Sequence, residues 1–218
     1  MLALASFAGC EPSSAQPAPS PAARRVLPAP IRNGGPSLAT VLSSRHSVRA
    51  FGDRELEDTE LGQLLWAAQG VTEAGRRTAP SAGGLYPLTI RVADAHGVWR
   101  YVPANHALVP ESPVDRRASI AAASFGQSPL HVAPVVLVIT ASYAVTAQKY
   151  GGRAERFATL EAGHAAQNVL LEASALGLGA VPIGGFADDA LRRALELQPE
   201  ETPLYLIAVG ACPTLLPC

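Results

Sequence analysis

The chain has 218 residues, a formal net charge of -1 and charged side chains at 16% of its positions. Its length suits one domain, or one domain with a tail, and its hydrophobic fraction of 48% is that of a globular protein. Because the charge is close to neutral, the composition gives no reason to expect nucleic acid or an acidic membrane surface as a partner.

Residues 1–36 are predicted to precede the folded domain. A short apolar stretch ends at Cys10, and a Pro/Ala/Ser-rich run extends from there to about Pro30. The segment FAGC is similar to the lipobox of bacterial lipoproteins, in which Cys10 would carry the lipid. Phe7 stands where leucine is more usual and no basic residue precedes the apolar run, so a start further upstream or a disordered apolar tail are the alternatives. The lipoprotein interpretation predicts the cell envelope, with membrane contact only through Cys10; the alternative location is the cytoplasm.

The folded domain is predicted to span residues 37–213, and residues 214–218 form a tail. It begins with a capped helix that turns extended after His46. The closely spaced Arg45, Ser47 and Arg49 supply two guanidinium groups and a hydroxyl, which together can hold a phosphate group. A solvated basic patch is the alternative interpretation.

Alternating patterns and turn residues predict the elements that follow. Helices are expected at 58–70, 115–124 and 188–197, an antiparallel strand pair at 88–93 and 98–102, and buried strands at 133–141 and 204–209. A glycine turn at residues 80–87 leads into the first strand of the pair.

The helix that begins at Phe157 is predicted to be the centre of the fold. It has no formally charged residue between Ala162 and Leu171, and small or apolar side chains occur on every side of it. A helix that is apolar all round is buried all round, so we expect a second subunit to cover one face and the protein to be a homodimer. After the helix, Gly184 and Gly185 would let the backbone approach a flat ligand, although an ordinary tight turn is the alternative.

Lys149 is the only lysine among the 17 Lys and Arg residues. It stands beside Tyr150 and before two glycines, where the pair can donate or accept a proton at the rim of a pocket; a polar loop is the alternative. The three cysteines, Cys10, Cys212 and Cys218, have no CxxC or Cys/His spacing, so no metal site is predicted. If Cys10 is lipidated, Cys212 and Cys218 are left free to pair in an oxidising compartment, although disorder of the short C-terminal tail is the simpler expectation.

Taken in order, these motifs closely resemble the nitroreductase superfamily of FMN enzymes. The nearest branch looks like the SagB-type dehydrogenases, the azoline oxidases of thiazole- and oxazole-containing peptide pathways. The matching stretches are RHSVRAF from Arg45, PSAGGLYP from Pro80, KYGGR from Lys149, EAGHAAQN from Glu161 and GLGAVPIGGF from Gly177.

The resemblance implies a three-layer α+β fold with a mixed central sheet flanked by helices, and an obligate homodimer with the central helix at its interface. FMN would bind between the subunits, and the resemblance gives three groups of residues a role toward it. The phosphate would lie on Arg45, His46, Ser47 and Arg49; the turn containing Pro80, Ser81 and Gly83 would line the cofactor; and Pro182, Ile183, Gly184 and Gly185 would lie along the flavin ring. The catalytic pair would be Lys149 and Tyr150.

Two positions depart from many nitroreductases. Gly184 stands where many have a glutamate, which favours the SagB-like branch, and Ala211-Cys212-Pro213 replaces a basic pair that contacts the phosphate. The expected function is FMN-dependent dehydrogenation of a peptide azoline or a related small C–N substrate. The alternatives are NAD(P)H-dependent reduction of nitro compounds or quinones, and a non-catalytic dimeric scaffold.

Overall fold

The computed structural model of the chain describes residues 23–213. Cys10 with the lipobox-like segment and the tail at 214–218 lie outside these residues, so the lipid anchor and the tail stay predictions. Cys212 takes part in a disulfide bond, and its predicted pairing with Cys218 also falls outside the described residues.

Within residues 23–213 the chain forms seven strands and seven α-helices. In chain order they are β1 (Arg25–Val26), α1 (Leu38–Ser44), α2 (Asp58–Gln69), β2 (Leu88–Asp94), β3 (Gly97–Val102), β4 (Ala107–Ser112), α3 (Arg117–Ala123), α4 (Ser128–Val132), β5 (Val135–Ser142), α5 (Tyr143–Tyr150), α6 (Ala154–Ala175), β6 (Leu178–Ile183), α7 (Asp188–Leu195) and β7 (Glu201–Ala211).

The strands form one sheet in the order β1-β4-β3-β2-β5-β7-β6. Every neighbouring pair of the described strands is antiparallel, so the mixed sheet implied by the resemblance is not what residues 23–213 form. The short turns between β2, β3 and β4 force antiparallel pairing in one half of the sheet, and β7 runs opposite to both of its neighbours in the other.

Helices cover both faces of the sheet, which confirms the three-layer α+β architecture. One core contains residues of α2 and α6 packed on the sheet. The other contains residues of α3, α4 and α7 on the opposite face. Strand β5 serves both cores, because Leu137 and Ile139 point to the first and Val136 and Val138 to the second.

Helix α6 is the predicted central helix, but this single chain buries only one of its faces. Ala158, Ala162 and Ala165 are buried against the sheet and α2. On the opposite face Leu160 is 53% exposed, and Gly163 and His164 are exposed as well. The predicted burial on all sides therefore depends on a second molecule.

The folded unit begins before residue 37, the boundary expected from the sequence. Strand β1 pairs with β4, and Leu27 is part of the core with only 4% exposure. The Gln63 side chain exchanges two hydrogen bonds of 2.9 Å with the backbone of Ile31. A two-residue strand in a proline-rich segment has no detectable periodicity, which explains why the sequence placed it in the linker.

Three short elements, β4, α4 and α5, occupy stretches for which the sequence pattern predicts neither a helix nor a strand. The other predicted helices and strands are present with ends shifted by a few residues. Among residues 23–213, no helix is both long enough and apolar enough to cross a membrane.

Candidate active site

Lys149 and Tyr150 lie at the C-terminal end of α5, which begins directly after β5. Gly151 ends the helix with φ 53° and ψ -130°, a conformation that favours glycine. The chain then enters α6 through a short 3-10 turn at Gly151–Arg153. The glycines after the Lys-Tyr pair thus set the exit from α5 and fix the pair at the end of a helix.

The turn predicted to line the cofactor packs directly on this pair. Gly83 has φ 63°, and a methyl group placed on it would lie 2.9 Å from Tyr150 Oη and 3.0 Å from Lys149 Nζ. Glycine is therefore needed there for its backbone conformation and for the close approach. Two motifs more than sixty residues apart in the sequence, each predicted separately, meet at one place.

Aromatic side chains hold the pair from the side of α6. Lys149 Nζ lies 5.5 Å from the centre of the Tyr150 ring, and that ring meets Phe157 edge to face with centroids 4.9 Å apart. Tyr150 is half-buried and Lys149 is exposed. No carboxylate within residues 23–213 forms an ion pair with Lys149, so its ammonium group is available to a ligand.

The predicted phosphate-binding residues lie along the outer edge of β6. The Val48 amide donates to the Ala180 carbonyl over 3.0 Å, which aligns the segment with that strand. Arg45 and Ser47 are half-buried, and Arg49 is exposed. In the described part of the chain, neither arginine has a carboxylate partner.

His46 differs from its neighbours in this segment. It is exposed, and its Nδ1 lies 3.0 Å from the Ser44 carbonyl oxygen. That contact caps the end of α1, so the structure gives His46 a local partner in addition to its predicted place at the phosphate.

Gly184 and Gly185 follow β6 and are exposed, whereas Ile183 before them is buried and Pro182 half-buried. The Gln127 side chain donates to the Gly185 carbonyl oxygen over 2.8 Å and to that of Ser124 over 3.2 Å. Gln127 therefore fixes the orientation of the glycine turn. This role is not evident from the sequence, because a lone glutamine before a short helix carries no distinctive pattern.

A buried carboxyl group that the sequence analysis did not assign to the site lies behind the Gly83 turn. Glu161 on α6 is only 2% exposed, and this burial raises the pKa of its carboxyl group, against the opposing effects of Ser81, Gln69 and Arg77. Gln69 Nε2 donates to Glu161 Oε1 over 3.2 Å, and Arg77 donates to Gln69 Oε1 over 3.1 Å. A charged residue on the inward face of an apolar helix was the signal available in the sequence.

The structure thus assembles two clusters. The turn cluster consists of Pro80, Ser81, Gly83, Lys149 and Tyr150, and the edge cluster consists of Arg45, His46, Ser47, Arg49, Pro182, Ile183, Gly184 and Gly185. No hydrogen bond among residues 23–213 joins one cluster to the other.

A cavity of about 400 Å³ lies elsewhere, between residues 31–36 and the helices α2 and α6. Its lining includes Gln63, Trp66 and Glu172 and no member of either cluster. It does not mark the place of the predicted chemistry, because the phosphate-binding cations and the Lys-Tyr pair are absent from its walls.

The donor set of the two clusters fits FMN. Two arginines without carboxylate partners and a hydroxyl suit the phosphate, and an exposed Gly-Gly backbone suits close approach of a flat ring. The proton-transfer pair lies against Gly83, where a methyl group would displace the ends of both side chains.

Known proteins match this chain over most of its length. The model of the nitroreductase family matches residues 42–211. A protein of Methanocaldococcus jannaschii assigned to the nitroreductases is 42% identical over 180 residues, which is 79% of this chain and 90% of that protein.

Solved structures show the same fold. A protein of Ralstonia eutropha assigned to the nitroreductases superposes with a TM-score of 0.81 at 32% identity, over 89% of this chain and 94% of that one. The E. coli microcin synthetase McbBCD complex with truncated pro-MccB17 bound contains a chain that matches with a TM-score of 0.69 at 24% identity, over 85% of this chain and 75% of that one. The chain belongs to the nitroreductase family and is an oxidoreductase of the nitroreductase type.

Proposed function

We propose that the protein is an FMN-dependent oxidoreductase that dehydrogenates a peptide azoline or a related small C–N substrate. The contact of Gly83 with both Lys149 Nζ and Tyr150 Oη carries this proposal. It places a group able to exchange protons directly beside the turn that is predicted to line the cofactor.

Lys149 acts as the base of the reaction. In its neutral form its amine accepts the proton from one substrate atom. The electron pair of that broken bond forms the new double bond to the neighbouring carbon, from which the second hydrogen leaves with its own electron pair as hydride. FMN, when bound, supplies the acceptor for that hydride and its two electrons. The Tyr150 hydroxyl lies beside the ammonium group and orients the substrate heteroatom through a hydrogen bond.

Arg45, Ser47 and Arg49 hold the FMN phosphate, and His46 contributes from the same segment. The backbone of Gly184 and Gly185, whose orientation Gln127 fixes, would hold the flavin ring. No cation occurs at Ala211-Cys212-Pro213, where the last strand ends. The arginines after α1 therefore supply the positive charge at the phosphate.

The site is completed in a homodimer, with the edge cluster of one protomer facing the turn cluster of its partner. Two observations support this arrangement. Within residues 23–213 no hydrogen bond joins the two clusters, and α6 leaves a face with Leu160, Gly163 and His164 uncovered. Members of the nitroreductase family are typically dimers and generally use FMN.

The choice of an azoline substrate rests on the residues of the site. The Lys-Tyr pair and Gly184 resemble the SagB-like branch, and a fold match exists to a complex that holds a microcin precursor peptide. That match, at 24% identity, supports the fold, so the substrate class is proposed from the residues themselves.

A second candidate function is NAD(P)H-dependent reduction of nitro compounds or quinones. The 42% identical relative assigned to the nitroreductases favours it. The two functions share the FMN site and differ in the electron donor, since the first takes electrons from the substrate and the second from a nicotinamide.

The Lys149→Ala variant tests the proposal, with Gln148→Ala at the preceding exposed position as the matched control. We expect both variants to remain yellow FMN-bound dimers. Azoline-peptide oxidation is expected to fall by 10²-fold or more in Lys149→Ala, in the usual range for loss of an acid–base group, and to persist in Gln148→Ala. Loss of bound FMN from Lys149→Ala alone would contradict the catalytic assignment.

Mixing the oxidised protein with NADH and NADPH separates the candidate functions. Rapid flavin bleaching by either nicotinamide, without azoline oxidation, would establish the second function instead. A protein that binds FMN and does neither would be the non-catalytic scaffold.

A further inference from the structure

We propose that Glu161 is a positioning residue of this site, which holds the turn at residues 81–86 where Gly83 meets Lys149 and Tyr150. The inference rests on the proposed function for its catalytic meaning. Its structural part, the coupling of Glu161 to the turn, is independent of any reaction.

The first step is the burial of Glu161. Its neighbours on the inward face of α6, such as Ala158, Ala162 and Ala165, are apolar, and Glu161 itself is 2% exposed. Burying a carboxyl group costs several kcal/mol unless hydrogen bonds compensate for the lost water. An apolar residue at this position would avoid that cost, so the carboxyl group is expected to serve another purpose.

The second step is the contact with Ser81. The Ser81 hydroxyl oxygen accepts a hydrogen bond from the Tyr86 amide over 2.9 Å, and its carbonyl accepts one from the Gly84 amide over 3.0 Å. A hydrogen bond from the same side chain opposes the rise that burial causes in the pKa of the Glu161 carboxyl group. Ser81 thus both closes the turn and connects it to α6.

Tyr86 lies at the other end of the turn. Tyr86 has φ 52°, an uncommon conformation for a bulky residue that surrounding contacts must maintain. The Arg77 amide donates to the Tyr86 hydroxyl over 3.2 Å, and the Arg77 guanidinium lies 4.6 Å from the ring centre. Because Arg77 also binds Gln69, which binds Glu161, both ends of the turn are tied to one buried network.

Hydrogen–deuterium exchange at the amides of residues 84–86 tests the coupling in the purified full-length protein. We compare Glu161→Ala and Glu161→Gln with the control Glu172→Ala. Glu172 is a half-buried glutamate of α6 that lies away from the turn. In Glu161→Ala we expect about tenfold faster exchange at these amides, the effect of losing roughly one hydrogen bond. In Glu161→Gln exchange stays close to wild type, because the amide still reaches Ser81 and Gln69, and Glu172→Ala leaves it unchanged.

Unchanged exchange at residues 84–86 in folded Glu161→Ala would overturn the proposal, and so would equal acceleration in Glu172→Ala. Should Glu161→Ala fail to fold, Ser81→Ala is measured instead, and we expect faster exchange at the Leu85 amide. Unchanged exchange at Leu85 in that variant would also overturn the proposal. Exchange is measured without FMN turnover, so failure of the proposed function leaves this test intact. With FMN bound, Glu161→Ala is also expected to lower kcat more than it raises KM, and Glu161→Gln to restore kcat.

Discussion

Gly83 and Tyr150 lie so close together that a methyl group on Gly83 would be 2.9 Å from the Tyr150 hydroxyl oxygen. The contact joins a turn between α2 and β2 to the end of α5. It gives the turn and the Lys-Tyr pair a common position, so a change in one displaces the other.

Replacement of Gly83 by alanine is expected to disrupt the site more than the fold. The new methyl group would push Tyr150 and Lys149 away, and a displacement on the order of 1 Å lowers turnover by about 10²-fold. Alanine at φ 63° also strains the backbone by about 1–2 kcal/mol. Turnover and thermal stability would be measured on the same preparation.

Gly75→Ala is the matched control for that variant. Gly75 has φ 70° and open space around it, so alanine there causes the same backbone strain without a clash. We expect a similar fall in stability and normal turnover. Equal loss of turnover in the two variants would refute the importance of the Gly83 contact.

The arginines after α1 are expected to determine FMN affinity. Arg45→Gln and Arg49→Gln each remove a cation from the proposed phosphate site, and each should weaken FMN binding by about 10-fold or more, the value of a charged hydrogen bond. Riboflavin, which lacks the phosphate, should bind wild type and variants alike. Arg193→Gln, an exposed arginine on α7, is the control. Equal FMN affinity in all the proteins, measured by fluorescence quenching, would show the segment to be an ordinary basic surface.

The uncovered face of α6 is expected to form the dimer interface. Leu160→Glu would bury a carboxylate in that interface, so the dissociation constant of the dimer should rise by at least 10²-fold, and FMN should be lost with the dimer. Val132→Glu on α4 changes a similarly exposed apolar side chain, at 57% against 53% for Leu160, and should leave the dimer intact. Sedimentation equilibrium measures both; a stable Leu160→Glu dimer would place the interface elsewhere.

His106 gives the fold a pH dependence. Burial lowers the pKa of its imidazole below the ordinary value of 6.5, so the unfolded chain binds the proton more readily than the folded one. The stability that depends on neutral His106 is therefore present above about pH 6.5 and is lost as the pH falls below it. Asparagine can adopt the left-handed backbone that residue 106 has at φ 44°. Because its side chain does not titrate, the His106→Asn variant lacks this pH dependence.

The test of this prediction is the change in Tm between about pH 7.5 and pH 5.5. The wild-type Tm should fall more than that of His106→Asn. The variant also loses the contact with the Tyr101 hydroxyl, which lowers its Tm at both pH values and does not affect the difference. Identical falls would show that His106 contributes nothing to the pH dependence.

Sequence patterns predicted the layers and most elements, because apolar periodicity reports which faces are buried. They missed β1, β4, α4 and α5, because elements this short show no clear period. They predicted both clusters of the site by motif. Gln127 and Glu161 were not assigned to it, because their importance arises from contacts with Gly185 and Ser81 that only the fold creates.

The visible absorption spectrum of the purified protein, recorded together with its mass in solution, tests the central claim most directly. We predict a flavin band equivalent to about one FMN per chain in a particle with the mass of a dimer. A colourless protein that added FMN does not restore, or a monomer that retains one FMN per chain, would contradict a flavin site built from the two clusters of facing protomers.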